Sequence, residues 1–298
     1  MRSKAPEEIE SSNVFDISYV TAVLTGAGSG IGLMIAQALV ANGAKVYVVD
    51  RRKDALEVVT AIYNTGPGVM IPLVADISVK EEVMELAQHI GSIEGNGIQL
   101  LINNAGIALD HQTRFAENGQ PCLKDAHAIS EHFLRSTPSD WSKSFETNVM
   151  GGFLMSMAFL PLLEKGSGIF NGHTSSIINM SSNSAFLKDT CRGYISYAAS
   201  KAGTVHLSRM LASLLTETSV RVNQIAPGTF PSEMTTGCSG ADQKSVMNRP
   251  VVNASGRAGK ESDIAGTILL LASVAGSFYN HQILFPDGGE TLIVPAAI

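Results

Sequence analysis

Three residues in this chain have the types and spacing for proton chemistry: Tyr197, Lys201 and Ser182. In Tyr197-Ala198-Ala199-Ser200-Lys201 the phenol and the ammonium fall four positions apart, which on a helix places them on one face. A free tyrosine titrates near about 10 and exchanges protons poorly at neutral pH, whereas a neighbouring cation favours the phenolate and moves it toward catalytic range. Ser182, at the end of Ile178-Asn179-Met180-Ser181-Ser182, adds a hydroxyl that can hydrogen-bond the same reacting oxygen. Tyr-x-x-x-Lys alone is common on structural helices, so the pair gains meaning only from its surroundings.

Far upstream, Thr25-Gly26-Ala27-Gly28-Ser29-Gly30-Ile31-Gly32 follows the apolar run Val20 to Leu24 and leads into the helically periodic Leu33 to Val40. A strand, a glycine turn and a helix N-terminus make a pyrophosphate site, because glycine lets the backbone come close and free N–H groups with the helix dipole meet the negative charge. The next strand-like run, Lys45 to Val49, ends at Asp50. That is about twenty residues beyond the turn, where a dinucleotide fold places the acid that accepts from the adenosine ribose.

With these residues the chain resembles the short-chain dehydrogenase/reductase family, in the single-domain branch carrying Thr-Gly-x-x-x-Gly-x-Gly and Tyr-x-x-x-Lys. Within it, the wording Phe230-Pro231-Ser232-Glu233-Met234 is similar to that of 3-oxoacyl carrier-protein reductases and the enzymes of rhamnolipid synthesis. The likeness runs from about Val20 to Gly289 and takes in Asp76-Ile77, Asn103-Asn104-Ala105-Gly106, Asn148 and Pro227-Gly228.

The resemblance implies that Tyr197 donates a proton to a substrate carbonyl oxygen in reduction and takes it back in oxidation. It implies that Lys201 lowers the phenol's pKa and binds the nicotinamide ribose, that Ser182 polarises the carbonyl, and that Asn148 holds a water linking Lys201 to solvent. Of the two adjacent serines, the second is the family's catalytic one. The implied cofactor-binding set is Thr25, Gly26, Ser29, Gly30, Ile31, Gly32, Asp50, Arg51, Asp76, Ile77, Asn103, Ala105, Gly106, Pro227, Gly228, Thr229 and Phe230, with Tyr197 and Lys201. The expected cofactor is NAD(H), since Asp50 repels a 2′-phosphate; NADP(H) is the alternative, through Arg51 and Arg52. The activity expected is interconversion of a carbonyl and a secondary alcohol on a small, partly apolar molecule. A non-redox, cyclase-like member or a catalytically idle cofactor-binding protein are the competing readings.

Composition narrows the partners. The 298 residues carry a formal charge of −6 with no densely basic stretch, which argues against nucleic acid and an anionic membrane surface. Cys122, Cys191 and Cys238 are scattered, so a reducing, cytoplasmic setting is expected rather than a disulfide framework. The seven histidines show no metal-ligand spacing, and no metal is expected. The apolar run Val149 to Leu163 is shorter than the about 20 residues that span a bilayer and reads as a buried helix. In the resembled family that helix also meets a neighbouring subunit, which implies a homodimer or homotetramer.

The elements that must position these residues alternate along the chain. Strand-like runs are Val20–Leu24, Lys45–Val49, Val69–Val74, Leu100–Ile102, Ile177–Met180, Arg221–Ile225 and Gln282–Phe285, with helical stretches such as Lys80–Ile90 and Ile264–Leu271 between them. Alternation of this kind predicts an α/β fold: a single-domain Rossmann fold with a doubly wound parallel sheet, helices on both faces and ligands at the carboxyl ends of the strands. Residues 1 to about 13 read as a flexible arm, and 14–298 as one dinucleotide-binding catalytic domain. One segment, about 107–140, is roughly twenty residues longer than the family usually has there and is expected to be a substrate-side element. Asp189 to Gly193 reads as extra loop, Tyr194 as a pocket wall, and Phe186, Leu187, Phe230 and Met234 as apolar lining or ordinary core.

Overall fold

Along the central strands, successive side chains alternate between two separate apolar cores. Ala22 and Leu24, Val46 and Val48, Leu100 and Ile102, and Ile178 and Met180 face one side, while Val23, Tyr47, Val49, Leu101 and Ile177 face the other. The two-residue period of an extended chain, apolar on both phases, demands cover on both faces. The helices Gly30–Ala41, Lys53–Tyr63 and Glu261–Ala272 cover the first face; Lys80–Ile93, Gly152–Gly166 and Ile195–Leu214 cover the second.

This computed structural model describes residues 7–297. Its sheet has seven strands, all parallel: β1 (Thr21–Thr25), β2 (Lys45–Asp50), β3 (Val69–Val74), β4 (Leu100–Asn103), β5 (Ser176–Met180), β6 (Arg221–Ile225) and β7 (Ile283–Leu284). Their order is β3-β2-β1-β4-β5-β6-β7. Winding therefore reverses between β1 and β4, and the loops after those two strands diverge to opposite faces and leave a crevice at the carboxyl edge. The doubly wound α/β fold expected from the alternating elements is the fold observed, with strand ends shifted by no more than a residue or two.

Three stretches depart from the sequence reading. The helix expected over Val149–Leu163 is the distal part of a continuous helical run, Pro138–Gly166, long and apolar enough by length and composition to cross a bilayer. In the fold its Met155, Phe159 and Leu163 pack on the sheet, while Trp141, Phe145, Met150 and Phe153 stay exposed. The run is thus not buried all round. In the stretch read as an arm, Glu7–Ile9 and Ser11–Val14 form short, mostly exposed helical turns; residues 1–6 lie outside the described residues.

The long segment after β4 carries structure of its own. Phe115–Asn118 and Ala126–Phe133 are helical, the latter capped by the Asp125 side chain accepting from His127 N and Ala128 N. His132 is buried against Phe115 and Phe133, with Nε2 2.8 Å from the Thr113 carbonyl. Thr113 Oγ1 in turn donates to Gly193 O at 2.8 Å, fastening the segment to the turn that precedes Tyr197.

Candidate active site

The crevice at the strand reversal, about 320 Å³ in volume, is lined by the glycine turn, the end of β2, the loop after β4, Met180, Ser181, Tyr197, Lys201 and Pro227. Its glycines are required by close contacts. A Cβ on Gly26, whose φ is +66°, would lie 2.7 Å from Ala105 Cα, and one on Gly32 would lie 2.0 Å from Gly26 O. The helix Gly30–Ala41 opens here without a side-chain cap at Ser29, so its first N–H groups point into the crevice. A backbone cradle, an uncapped helix N-terminus and a carboxylate at the next strand end match the donors and acceptor an anionic dinucleotide needs.

That carboxylate is Asp50, buried at the end of β2. Its Oδ2 accepts from Gly28 N at 3.1 Å, and its Oδ1 from Arg52 N at 3.0 Å and Arg52 Nε at 3.2 Å. The Arg52 guanidinium also donates to Ser29 Oγ at 3.1 Å and to Glu233 Oε2 at 2.8 Å. One cation therefore spans β2, the glycine turn and the short Glu233–Thr236 helix after β6. Arg51, the arginine expected to bind cofactor, is exposed on the rim, and its charge is felt by Asp76. Burial raises the Asp76 pKa, but hydrogen bonds from Ser78 N and Oγ outweigh it and hold the carboxyl below its usual range.

At the far end of the crevice stand the residues expected to handle protons. Tyr197 and Lys201 share one face of Ile195–Leu214, with Lys201 Nζ 5.8 Å from the Tyr197 ring centroid. Nζ donates to the Met180 carbonyl at 2.8 Å, at the end of β5. Lys201 is 4% exposed, and burial pulls its pKa down to about 8. Burial acts oppositely on the phenol, pushing Tyr197 up to about 12, while a hydrogen bond with Ser182 draws it back. In this structure the lowering influence on Tyr197 is Ser182, not Lys201 as the spacing suggests, because the amine is turned to Met180. Of the serine pair, Ser182 is the one whose hydroxyl lowers the phenol's pKa, and its Oγ accepts from Ser184 N at 3.2 Å, whereas Ser181 Oγ donates to the Lys201 carbonyl at 3.2 Å.

Asn148 lies within a π-helical turn, Glu146–Gly151, a form frequent at functional sites. Its amide holds Ile107 at both backbone atoms, accepting from Ile107 N at 2.8 Å and donating to Ile107 O at 2.9 Å. Nδ2 also donates to Ser200 Oγ at 2.8 Å, which donates to the Tyr197 carbonyl at 2.7 Å. Asn148 thus joins the loop after β4 to the helix of Tyr197.

The structure does not bring every expected residue to the crevice surface. Gly26, Ser29, Gly30, Ile31, Gly32, Asp50, Arg51, Asp76, Ile77, Ala105, Gly106 and Pro227 line it. Thr25 lies beneath, its Oγ1 accepting from Asn104 N and Ala105 N and so tying β1 to the end of β4. Asn103 is buried under the same loop and donates to Asn179 Oδ1 at 2.8 Å. Gly228 packs against Asp287, Thr229 Oγ1 donates to Glu290 at 3.4 Å, and the Phe230 ring enters the core beside Gly259. Met234 lines the crevice, and Phe186 packs edge-on against Phe285. Asn104 and Glu233 reach the crevice but were not among the expected binders, Asn104 being hinted at only by the motif Asn103-Asn104; Arg52, expected only for the NADP(H) alternative, reaches it as well. Among the described residues no group of three or more His, Cys, Asp or Glu is placed to hold a metal ion.

Comparison with known proteins agrees with this geometry. A family model described as short chain dehydrogenase matches residues 20–242. The chain is 35% identical over 300 residues, covering 100% of both chains, to the short-chain dehydrogenase/reductase PhomF′ of Diaporthe leptostromiformis. It is 31% identical over 277 residues, 92% of this chain and 97% of the relative, to the rhamnolipids biosynthesis 3-oxoacyl acyl-carrier-protein reductase of Pseudomonas aeruginosa. Among solved structures, the Pseudomonas aeruginosa RhlG/NADP active-site complex aligns with a TM-score of 0.73 at 29% identity, covering 93% of this chain and 98% of that one.

Proposed function

Since the chain belongs to the short chain dehydrogenase family, we propose that it interconverts a carbonyl and a secondary alcohol on a small, partly apolar substrate, using NAD(H) in preference to NADP(H). The observation that carries this reading is that Tyr197 and Lys201, one turn apart on one helix, line the same crevice as the glycine turn.

When bound, a nicotinamide cofactor would supply the hydride chemistry, leaving orientation and proton handling to the chain. With the phenol pushed up to about 12, Tyr197 keeps its proton at neutral pH, the state in which it can protonate a carbonyl oxygen during reduction. The Ser182 hydroxyl, which draws the phenol's pKa down, would hold the same oxygen in place. Lys201, buried and cationic below about pH 8, favours negative charge developing on that oxygen. Gly106 lets a ligand approach closely, for a Cβ there would lie 3.1 Å from Lys201 Nζ.

The NAD(H) preference rests on charge. Arg52 is already shared by two carboxylates, Asp50 and Glu233, and Asp50 repels a 2′-phosphate. The neighbour RhlG, solved with NADP, favours the other outcome. A homodimer or homotetramer is the proposed assembly, with the exposed Trp141, Phe145, Met150 and Phe153 as the apolar surface to be covered. Three unpaired cysteines fit a reducing, cytoplasmic setting.

The test is Tyr197→Phe, followed by nicotinamide absorbance against a panel of ketones and alcohols. The variant should lose about 10²–10⁴-fold in turnover while cofactor affinity stays nearly unchanged. Near-parent turnover in a folded Tyr197→Phe would overturn the assignment.

A further inference from the structure

The helix that presents Tyr197 has no cap of its own. Its N-cap residue is Tyr194, which makes no side-chain cap hydrogen bond, although the first turn leaves N–H groups that the helix cannot satisfy internally. These groups are met from far upstream. The Asp110 carboxylate, 3% exposed, accepts from Ser196 N at 2.9 Å through Oδ1 and from Tyr197 N at 3.2 Å through Oδ2. Ser196 and Tyr197 are the second and third residues of the helix, the positions whose N–H groups a capping side chain ordinarily takes. The positive end of the helix dipole also favours a carboxylate at this place.

Asp110 is itself held at both ends. Three residues before it, Ile107 is clamped at N and O by Asn148; after it, Thr113 N and Arg114 N donate to the Asp110 carbonyl, and Thr113 Oγ1 donates to Gly193 O. The stretch from Ile107 to Thr113 is therefore a strut between the end of β4 and the first turn of the Tyr197 helix.

We propose that Asp110 is a positioning residue for the reaction: by supplying the helix cap from another loop, it sets where the Tyr197 phenol stands relative to Ser182 and the crevice. This rests on the reading of Tyr197 as the proton donor. A cap that only stabilised the helix would lower the melting temperature and leave turnover alone. A cap that sets the phenol's place lowers kcat while binding is preserved, because misplacement of about 1 Å can cost 10²-fold in rate.

Two variants of the full chain test it. Asp110→Ala removes both acceptors; Asp110→Asn keeps the shape and one acceptor oxygen but turns an NH2 toward the second N–H. Each is assayed for kcat and KM, for NADH affinity by cofactor fluorescence, and for hydrogen exchange in the peptide spanning Ser196 and Tyr197. We expect kcat to fall about 100-fold in Asp110→Ala and about 10-fold in Asp110→Asn, with KM and NADH affinity within about twofold of the parent. Exchange should quicken in the first turn of the helix in both. A folded Asp110→Ala with parental kcat, or with its loss confined to KM or NADH binding, overturns the proposal; if Asp110→Ala does not fold, the same outcomes in Asp110→Asn decide it. Should the parent turn over no ketone or alcohol at all, it is the functional reading that fails. The exchange measurement then decides Asp110 by itself, unchanged exchange at Ser196 and Tyr197 counting against it.

Discussion

At Lys201 burial opposes the charge that its proposed role requires. An amine whose pKa has been lowered to about 8 in the fold but stands near its ordinary value when unfolded destabilises the native state whenever it is charged. Below about pH 8 that cost is complete, on the order of 3 kcal/mol; it shrinks as pH rises toward about 10.5, because over that window the unfolded chain binds the extra proton. Lys201→Met should therefore raise the melting temperature of the cofactor-free protein at pH 7, lose that gain above pH 10, and abolish turnover. Thermal melts across pH check it, and a Lys201→Met protein less stable than the parent at pH 7 would count against the buried-charge account. Arg52 offers a second residue-scale experiment. Glu233→Gln removes one of its two carboxylate partners and leaves a donor free for a 2′-phosphate. Hydrogen bonds to charged groups are worth about 1.5–3 kcal/mol, so the NADP(H) to NAD(H) ratio of kcat/KM should rise by about tenfold or more. An unchanged ratio would show that Arg52 does not face that phosphate.

Between elements, the long segment after β4 is fixed by a contact with almost no slack. Cys191, Arg192 and Gly193 adopt positive φ in succession, 45°, 51° and 88°, and a Cβ on Gly193 would lie 2.1 Å from Thr113 O. Two non-glycine residues held in the left-handed region cost roughly 1–2 kcal/mol each, so this turn persists only because the segment docked on it compensates. Arg114 adds to the joint by donating to the Tyr194 hydroxyl and standing 5.4 Å over its ring, next to Tyr197. We propose that the docked segment borders the substrate. Gly193→Ala should then force it away, raise substrate KM or alter selectivity across a panel, and leave cofactor affinity intact. Parental kinetics in that variant would make the segment a mere excursion of the surface.

Across the whole molecule, the crevice and the buried pair His173 and Arg221 sit at opposite ends of the strands. The crevice is at the carboxyl ends, whereas His173 and Arg221 lie at the amino ends of β5 and β6. Arg221 is buried and donates to the carbonyls of Thr174, Leu271, Gly276 and Tyr279, and burial pulls its pKa down to about 10. His173 is buried with Nε2 3.0 Å from Ala272 O; burial first, and then the Arg221 charge, pull it down to about 4. A histidine held neutral in the fold but titrating near 6.5 when unfolded contributes stability that is complete above about 6.5 and is lost as pH falls toward about 4. The melting temperature should accordingly decline from pH 6.5 to pH 5. His173→Gln, which keeps a donor for Ala272, should flatten that decline, and an unaltered slope would assign the acid sensitivity to other groups.

What could be read along the chain was whatever repeats over a few neighbouring residues. Apolar residues on both phases of the Lys45–Asp50 and Leu100–Asn103 runs require a sheet covered on both faces, and the glycines from Gly26 to Gly32 require a turn that no side chain could enter. The four-residue step from Tyr197 to Lys201 likewise puts both on one helical face, whatever the rest of the chain does. Contacts between distant segments followed no such period. That Asp110 caps a helix beginning at Ile195, that Arg52 reaches Glu233, that Lys201 turns its amine to Met180, and that the Phe230 ring enters the core are all decided by which loops pack together. Local backbone geometry sets the period of a strand or helix. The partner of a side chain reaching across a crevice depends instead on closing loops tens of residues long, so only the tertiary structure decides it.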